Sequence, residues 1–187
     1  MSIWFTADTH FGHARIISHC NRPFASVGEM DATLIRNWNS RVQPSDTVWH
    51  VGDFTLFGDL AAVKKYRERL HGEIHLVRGN HDKKSQDFSG VFASVSDLAE
   101  ISVGVAGMNY RVVLCHYAMR VWPRSHHGAW QLYGHSHGKL LDDPNALSTD
   151  VGVDCWDYFP VSPQQIAARM AGKTWKPVDH HGAKDEP

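Results

Sequence analysis

Ser2-Ile3-Trp4-Phe5-Thr6-Ala7 runs directly into Asp8-Thr9-His10. An apolar run of this length, rich in aromatic and β-branched side chains, reads as a buried strand. A carboxylate and an imidazole follow it at once. The same punctuation recurs along the chain. Asp46–Val51 ends in Gly52-Asp53, and Glu73–Val77 leads to Gly79-Asn80-His81-Asp82. Arg111–Cys115 ends in His116, and Gln131–Tyr133 ends in Gly134-His135-Ser136-His137. Each strand-like run delivers oxygen or imidazole donors just past its carboxyl end, the edge of an α/β sheet where ligands bind.

Helix signals lie between these runs. Ser26 with Glu29 fits a capping box, and Met30, Leu34, Trp38 and Val42 follow at i, i+4 spacing. Ala14–Cys20 reads as a short helix. Asp59 is placed to cap a helix that buries Leu60, Val63 and Leu70 and stops at Gly72. Ser162-Pro163-Gln164-Gln165 opens a last helix, with Ile166 and Met170 on its apolar face. Ala99–Val105 and Tyr110–Cys115 flank Ala106-Gly107-Met108-Asn109, a hairpin turn. Strands alternating with helices, then a hairpin-rich second half, predict a layered α/β protein.

Bulk properties narrow the class. The 187 residues suit one domain, expected over 1–175, with 176–187 a polar tail. Hydrophobic residues at 42% and charged residues at 21% exclude a mostly disordered chain. A net charge of −1 gives no bulk attraction to nucleic acid or membrane, so nucleic acid stays a possible but unsupported partner. No basic leader opens the chain and no apolar stretch reaches membrane-spanning length, so a cytoplasmic location is expected. Cys20, Cys115 and Cys155 are an odd set without C-x-x-C spacing, in keeping with a reducing compartment.

The 14 histidines are the unusual count, and many gather at the strand ends. Carboxylates, imidazoles and one amide oxygen, without thiolate, suit Mn, Fe, Zn, Ni or Co. The candidates are too many for one tetrahedral zinc, so two ions are expected. Two divalent ions about 3.5–4 Å apart are the usual device for in-line displacement at phosphorus.

Asp8-x-His10, Gly52-Asp53, Gly79-Asn80-His81-Asp82, His116 and Gly134-His135-x-His137, in this order, resemble the five blocks of the calcineurin-like metallophosphoesterases. The form Phe5-Thr6-Ala7-Asp8-Thr9-His10-Phe11-Gly12-His13, with Arg22-Pro23-Phe24 after it, is similar to small stand-alone bacterial and phage members. The resemblance implies an α/β fold of four layers, α-β-β-α, with two mixed sheets flanked by helices. It implies that Asp8, His10 and His137 hold one metal, that Asn80, His116 and His135 hold the other, and that Asp53 bridges both. Mn is the preferred guess for the metal. A bridging hydroxide would be the nucleophile. His81 would stabilise the phosphoryl group and assist the leaving oxygen, with Asp82 orienting it.

His13 and Arg22 are the candidate substrate contacts. The plainer readings are a helix-start histidine and a solvated loop arginine. His126 and His127 are a candidate rim, Trp122 and Trp156 candidate site walls, and Asp154 either a support for the site or a turn former. His19, His50, His71, His75, His180 and His181 carry no functional assignment. The intervals between blocks hold no full cap domain, so the site is expected to be open. A phosphodiesterase acting on a nucleotide or other small phosphodiester is the favoured activity. A phosphomonoesterase is the alternative, and a non-catalytic, metal-binding interaction scaffold the rival from another class. His81, which a scaffold does not need, speaks against the rival.

Overall fold

The computed structural model describes residues 1–56, 60–83 and 88–178. Asp59, His180 and His181 lie outside them. The first strand, β1 (Ile3–Thr6), pairs in parallel with β2 (Thr47–His50), β2 with β3 (Glu73–Val77), and β3 with β4 (Ser94–Ser96). Consecutive parallel strands need crossovers, and α1 (Ala14–His19) and α2 (Val27–Arg41) lie in the first, α3 (Leu60–Arg67) in the second. Period-2 alternation divides each strand. Val48, Ile74 and Leu76 turn toward a core shared with Ile16 of α1, Met30, Leu34 and Trp38 of α2, and Val63 of α3. Phe5, with Val51 and Val77 just past or at the strand ends, faces the second core.

That second core lies between the sheets. Its other wall is β5 (Ala99–Val105), β6 (Met108–Leu114), β7 (Trp130–Tyr133) and β8 (Ser148–Asp150), in that order. Val103, Val112, Leu114, Trp130 and Leu132 meet Phe5, Ala7, Val51 and Val161 there. The last helix, α4 (Pro163–Ala171), joins the same core through Ile166 and Met170 and touches the edge strands β1 and β5.

The expected two sheets are present, and two details differ from the sequence reading, the strand pairing and the hairpin turn. Mixed pairing belongs to the second sheet, where β5–β6 is antiparallel and β6–β7 and β7–β8 are parallel. The four strands of the first sheet are parallel, and among the described residues its one antiparallel element is the bridge Phe5–Val161. The hairpin turn is Ala106-Gly107 alone, with φ of 49° and 80°, because Val105 already pairs with Met108. On the outer face of the second sheet Val113, Trp122 and Ala129, with Met119, Ala146 and Leu147, form a small apolar cluster. Lys176, expected in the tail, donates its N–H to Asn145 O at 2.9 Å.

No helix among the described residues is long and apolar enough to cross a membrane.

Candidate active site

The parallel strands end on one side, and their next residues are knitted together by backbone hydrogen bonds. Asp8 N–H donates to Gly52 O (2.9 Å), His10 N–H to Asp53 O (3.0 Å) and Gly134 N–H to His116 O (3.0 Å). The bridge Ala7–Gly152 and a bond from His116 Nδ1 to Val51 O (2.9 Å) tie the two sheets across this edge. Of the ten non-glycine residues with positive φ among the described residues, five are Asp8, His10, Asp53, His135 and His137. Left-handed backbone costs an L-residue about 1 kcal/mol or more, and such strain gathers where surrounding structure over-determines it.

Asp53 stands at the centre. Its Oδ2 lies 3.5 Å from His10 Nε2, 3.5 Å from His116 Nε2 and 4.0 Å from His81 Nε2. Oδ1 accepts the His81 N–H at 2.9 Å. To one side, donor atoms of Asp8, His10 and His137 lie within 4.8 Å of one another; to the other side, those of Asp53, His116 and His135 do so. Asn80 Oδ1 closes the second group, 3.1 Å from His116 Nε2 and 2.9 Å from His135 Nδ1. The other six sequence-expected metal ligands thus gather around the Asp53 carboxylate.

The donor set fits divalent cations. His10 Nε2 is buried and makes no hydrogen bond among the described residues. Such a lone pair is an orphan unless a cation takes it. Burial holds the His10 imidazole down to about 2, so it is neutral. Burial also pushes Asp8 up to about 7, so a neighbouring positive charge would favour its ionised form. Around Asp53 burial works against ionisation, yet the His116 contact, with the His81 N–H, brings it down to about 2. Burial likewise opposes charge on His116, but Asp53 raises its imidazole. Cation binding would displace that proton.

Glycine makes the approach possible. A Cβ on Gly79 would collide with Asp53 Oδ1 and stand 2.7 Å from its backbone nitrogen. One on Gly134 would stand 2.6 Å from Asp8 Oδ2.

Around these donors lies an open cleft of about 740 Å³, walled by His10, His13, Asp53, Leu56, His81 and His137 among others. His81 is about one-third exposed. Its Nδ1 lies 3.0 Å from Leu56 O. A carbonyl only accepts, so Nδ1 carries the proton and Nε2 is left facing the cleft. His13 also lines the cleft, its Nδ1 3.4 Å from His10 Nδ1.

Two expectations require correction. Asp82 does not orient His81. Its buried carboxylate accepts the N–H groups of Asp53 (2.6 Å), Phe54 (3.2 Å) and Gly79 (2.9 Å), pinning the Gly52-Asp53 turn to the Gly79–Asp82 turn. Leu56 O takes the partner position on His81 instead. Arg22 is not available to substrate. Its side chain is fully buried, Nε and Nη2 each donate to Asp154 at 2.8 Å, and Nη2 also reaches Asp8 O at 2.7 Å.

The remaining candidates fall outside the cleft. Trp122 donates to Ala129 O, Trp156 Nε1 donates to Asp150 O, and the His126 and His127 rings pack on each other at 4.1 Å. His50 is fully buried against Thr9 and Phe54. The partner that sequence reading left undecided is Asp154, whose Oδ2 lies 2.7 Å from His137 Nδ1. The only hint was an acid closing the apolar run Val151-Gly152-Val153.

A strand-edge cluster of two histidine–carboxylate groups sharing one aspartate is the arrangement of a metal-dependent phosphoester hydrolase. Residues 1–150 match the model of the calcineurin-like phosphoesterase superfamily domain, so the chain belongs to that superfamily. It is 36% identical over 166 residues to an uncharacterized protein of Methanocaldococcus jannaschii, covering 86% of each chain. It is 32% identical over 181 residues to the gene 66 protein of Mycobacterium phage L5, covering 82% of this chain and 86% of that one. A solved structure of a protein of unknown function from Aquifex aeolicus shares the fold, with a TM-score of 0.65 at 22% identity over 90% of this chain and 98% of that one.

Proposed function

We propose that this chain is a phosphodiesterase for a nucleotide or other small phosphodiester. In this reading Asp8, His10 and His137 hold one divalent cation, Asn80, His116 and His135 hold a second, and Asp53 is shared. Mn²⁺ is the favoured ion, since hard oxygen and imidazole donors without thiolate suit it. When bound, the pair supplies positive charge to the phosphoryl oxygens and lowers the pKa of the attacking water.

The observation that carries the reading is His81. It is held through Nδ1 by Leu56 O and through its N–H by Asp53, and it presents Nε2 to the open cleft beside the shared carboxylate. A histidine so placed can stabilise charge on the phosphoryl group. As water loses a proton to solvent and attacks phosphorus, the ester P–O bond breaks; a proton taken up from solvent on His81 Nε2 would pass to the leaving oxygen, which restores the Nδ1–H imidazole. A scaffold has no use for that placement. His13, on the cleft wall beside His10, would be a substrate contact. The openness of the cleft supports a diester, because a substituent is needed on each side of phosphorus.

The test is turnover by metal-stripped protein refilled with Mn²⁺. Bis-p-nitrophenyl phosphate would be compared with p-nitrophenyl phosphate, for the natural chain and His81→Ala. The expected result is metal-dependent diester turnover that falls about 10²–10⁴-fold in His81→Ala. Turnover of the monoester alone would replace the proposal with a phosphomonoesterase, and turnover of neither would return the scaffold reading.

A further inference from the structure

Asp154 lies in a short 3-10 turn, Val153–Cys155, after the last strand of the second sheet. Both of its oxygens are committed. Oδ2 meets His137 Nδ1 at 2.7 Å and Arg22 Nη2 at 2.8 Å, and Oδ1 accepts from Arg22 Nε at 2.8 Å. The contact is buried: the Asp154 side chain is 7% exposed and that of Arg22 is 0%. From Arg22 the network continues into the backbone of the first block, with Nη2 to Asp8 O at 2.7 Å and Nη1 to Thr9 O at 3.3 Å. Hydrogen bonds therefore run without a break from the imidazole of His137 to the main chain that carries Asp8 and His10.

Two consequences follow. A carboxylate only accepts here, so Nδ1 of neutral His137 carries the proton and Nε2 keeps its lone pair. The same network fixes the Asp8–His10 turn, where Asp8 and His10 have φ of 57° and 48°. The opposite group is held differently. His116 Nδ1 meets a main-chain carbonyl, Val51 O, and Asn80 bridges His116 and His135 directly. The His137 imidazole thus rests on a buried side-chain ion pair, and the His116 imidazole on a main-chain carbonyl.

We infer that Asp154 and Arg22 are positioning residues for one cation position only, that of Asp8, His10 and His137. This rests on the two-cation reading above. A group that orients a metal-binding histidine is worth roughly 10–100-fold in metal affinity. The two positions therefore respond differently to the same substitution.

The experiment titrates metal-stripped full-length protein with Mn²⁺ alone, followed by calorimetry and by electron paramagnetic resonance. The natural chain is expected to take up two ions that couple magnetically. Asp154→Asn should weaken one position about 10–100-fold, leave the other unchanged and replace the coupled signal with that of an isolated ion. Asp154→Glu, which keeps the carboxylate, should recover part of the loss. Equal affinities in Asp154→Asn and the natural chain overturn the inference. So does an equal fall at both positions, the mark of general structural damage. A natural chain that binds no Mn²⁺ overturns the two-cation reading, and the inference with it. If Asp154→Asn does not fold, nitrogen-15 spectra of the metal-free natural chain at alkaline pH decide. The Nδ1–H tautomer of His137 is expected, and the Nε2–H tautomer would overturn the inference.

Discussion

Asp82 and His81 are sequence neighbours with separate duties. The family resemblance implied a contact between them, but the Asp82 carboxylate is taken by main-chain N–H groups and His81 Nδ1 by Leu56 O. Asp82 acts as a clamp for three N–H groups. Asp82→Ala would strand buried donors, each costing about 1–3 kcal/mol. The expected outcome is a fall in unfolding free energy of at least about 2 kcal/mol, with metal binding lost along with it. Denaturant unfolding of the metal-free and Mn²⁺-loaded protein checks both. Gly79→Ala is expected to abolish Mn²⁺ uptake, because the added methyl group occupies the space of the Asp53 carboxylate. Dialysis against Mn²⁺ followed by metal analysis of the folded variant measures that. The donors themselves were legible in the sequence because phosphoryl chemistry requires these residue types after strands. Their supports were not. Arg22 and Asp154 stand 132 positions apart, and only the fold brings them together.

Elements were legible where their ends carry chemistry. Ser26 accepts the Glu29 N–H at 3.2 Å, although the Glu29 carboxylate reaches back to Ala25 N–H rather than to the cap residue itself. Ser162 and Gln165 form the expected reciprocal box, and Pro163 occupies the first turn of α4. Removing that cap with Ser162→Ala should cost about 1 kcal/mol, seen as a lower midpoint in urea with an unchanged slope. No change in midpoint would mean that α4 is held by Ile166 and Met170 alone. The strands β4 and β8 escaped the sequence reading because Ser94–Ser96 and Ser148–Asp150 are three residues long and mostly polar. Their pairing comes from the neighbouring strand, which no local pattern announces.

At the scale of the molecule, the strand-like runs marked six of the eight strands among the described residues but not their division into two sheets. That division depends on which apolar faces meet, and Phe5, Leu114 and Leu132 meet only after both sheets have formed. His50 shows another cost of this packing. It sits fully buried on the helix side of the first sheet, and burial lowers its imidazole to about 3. The unfolded chain, with an ordinary imidazole near 6.5, binds a proton there that the folded chain refuses. Its stabilising share is therefore present above about pH 6.5 and is lost as pH falls toward about 3, at up to about 1.4 kcal/mol per pH unit. Metal-free protein should lose stability over this range, and His50→Gln should show a slope smaller by up to one proton. Urea titrations at a series of pH values read it directly. An identical slope in the variant would place the titration elsewhere.

The central claim is that Asp53 stands between two cations at the meeting edge of the two sheets. Anomalous diffraction from crystals soaked in Mn²⁺ addresses it without reference to any substrate. Two peaks about 3.5–4 Å apart, one beside Asp8, His10 and His137 and one beside Asn80, His116 and His135, with the Asp53 carboxylate between them, are expected. A single peak, or none near Asp53, would contradict the account.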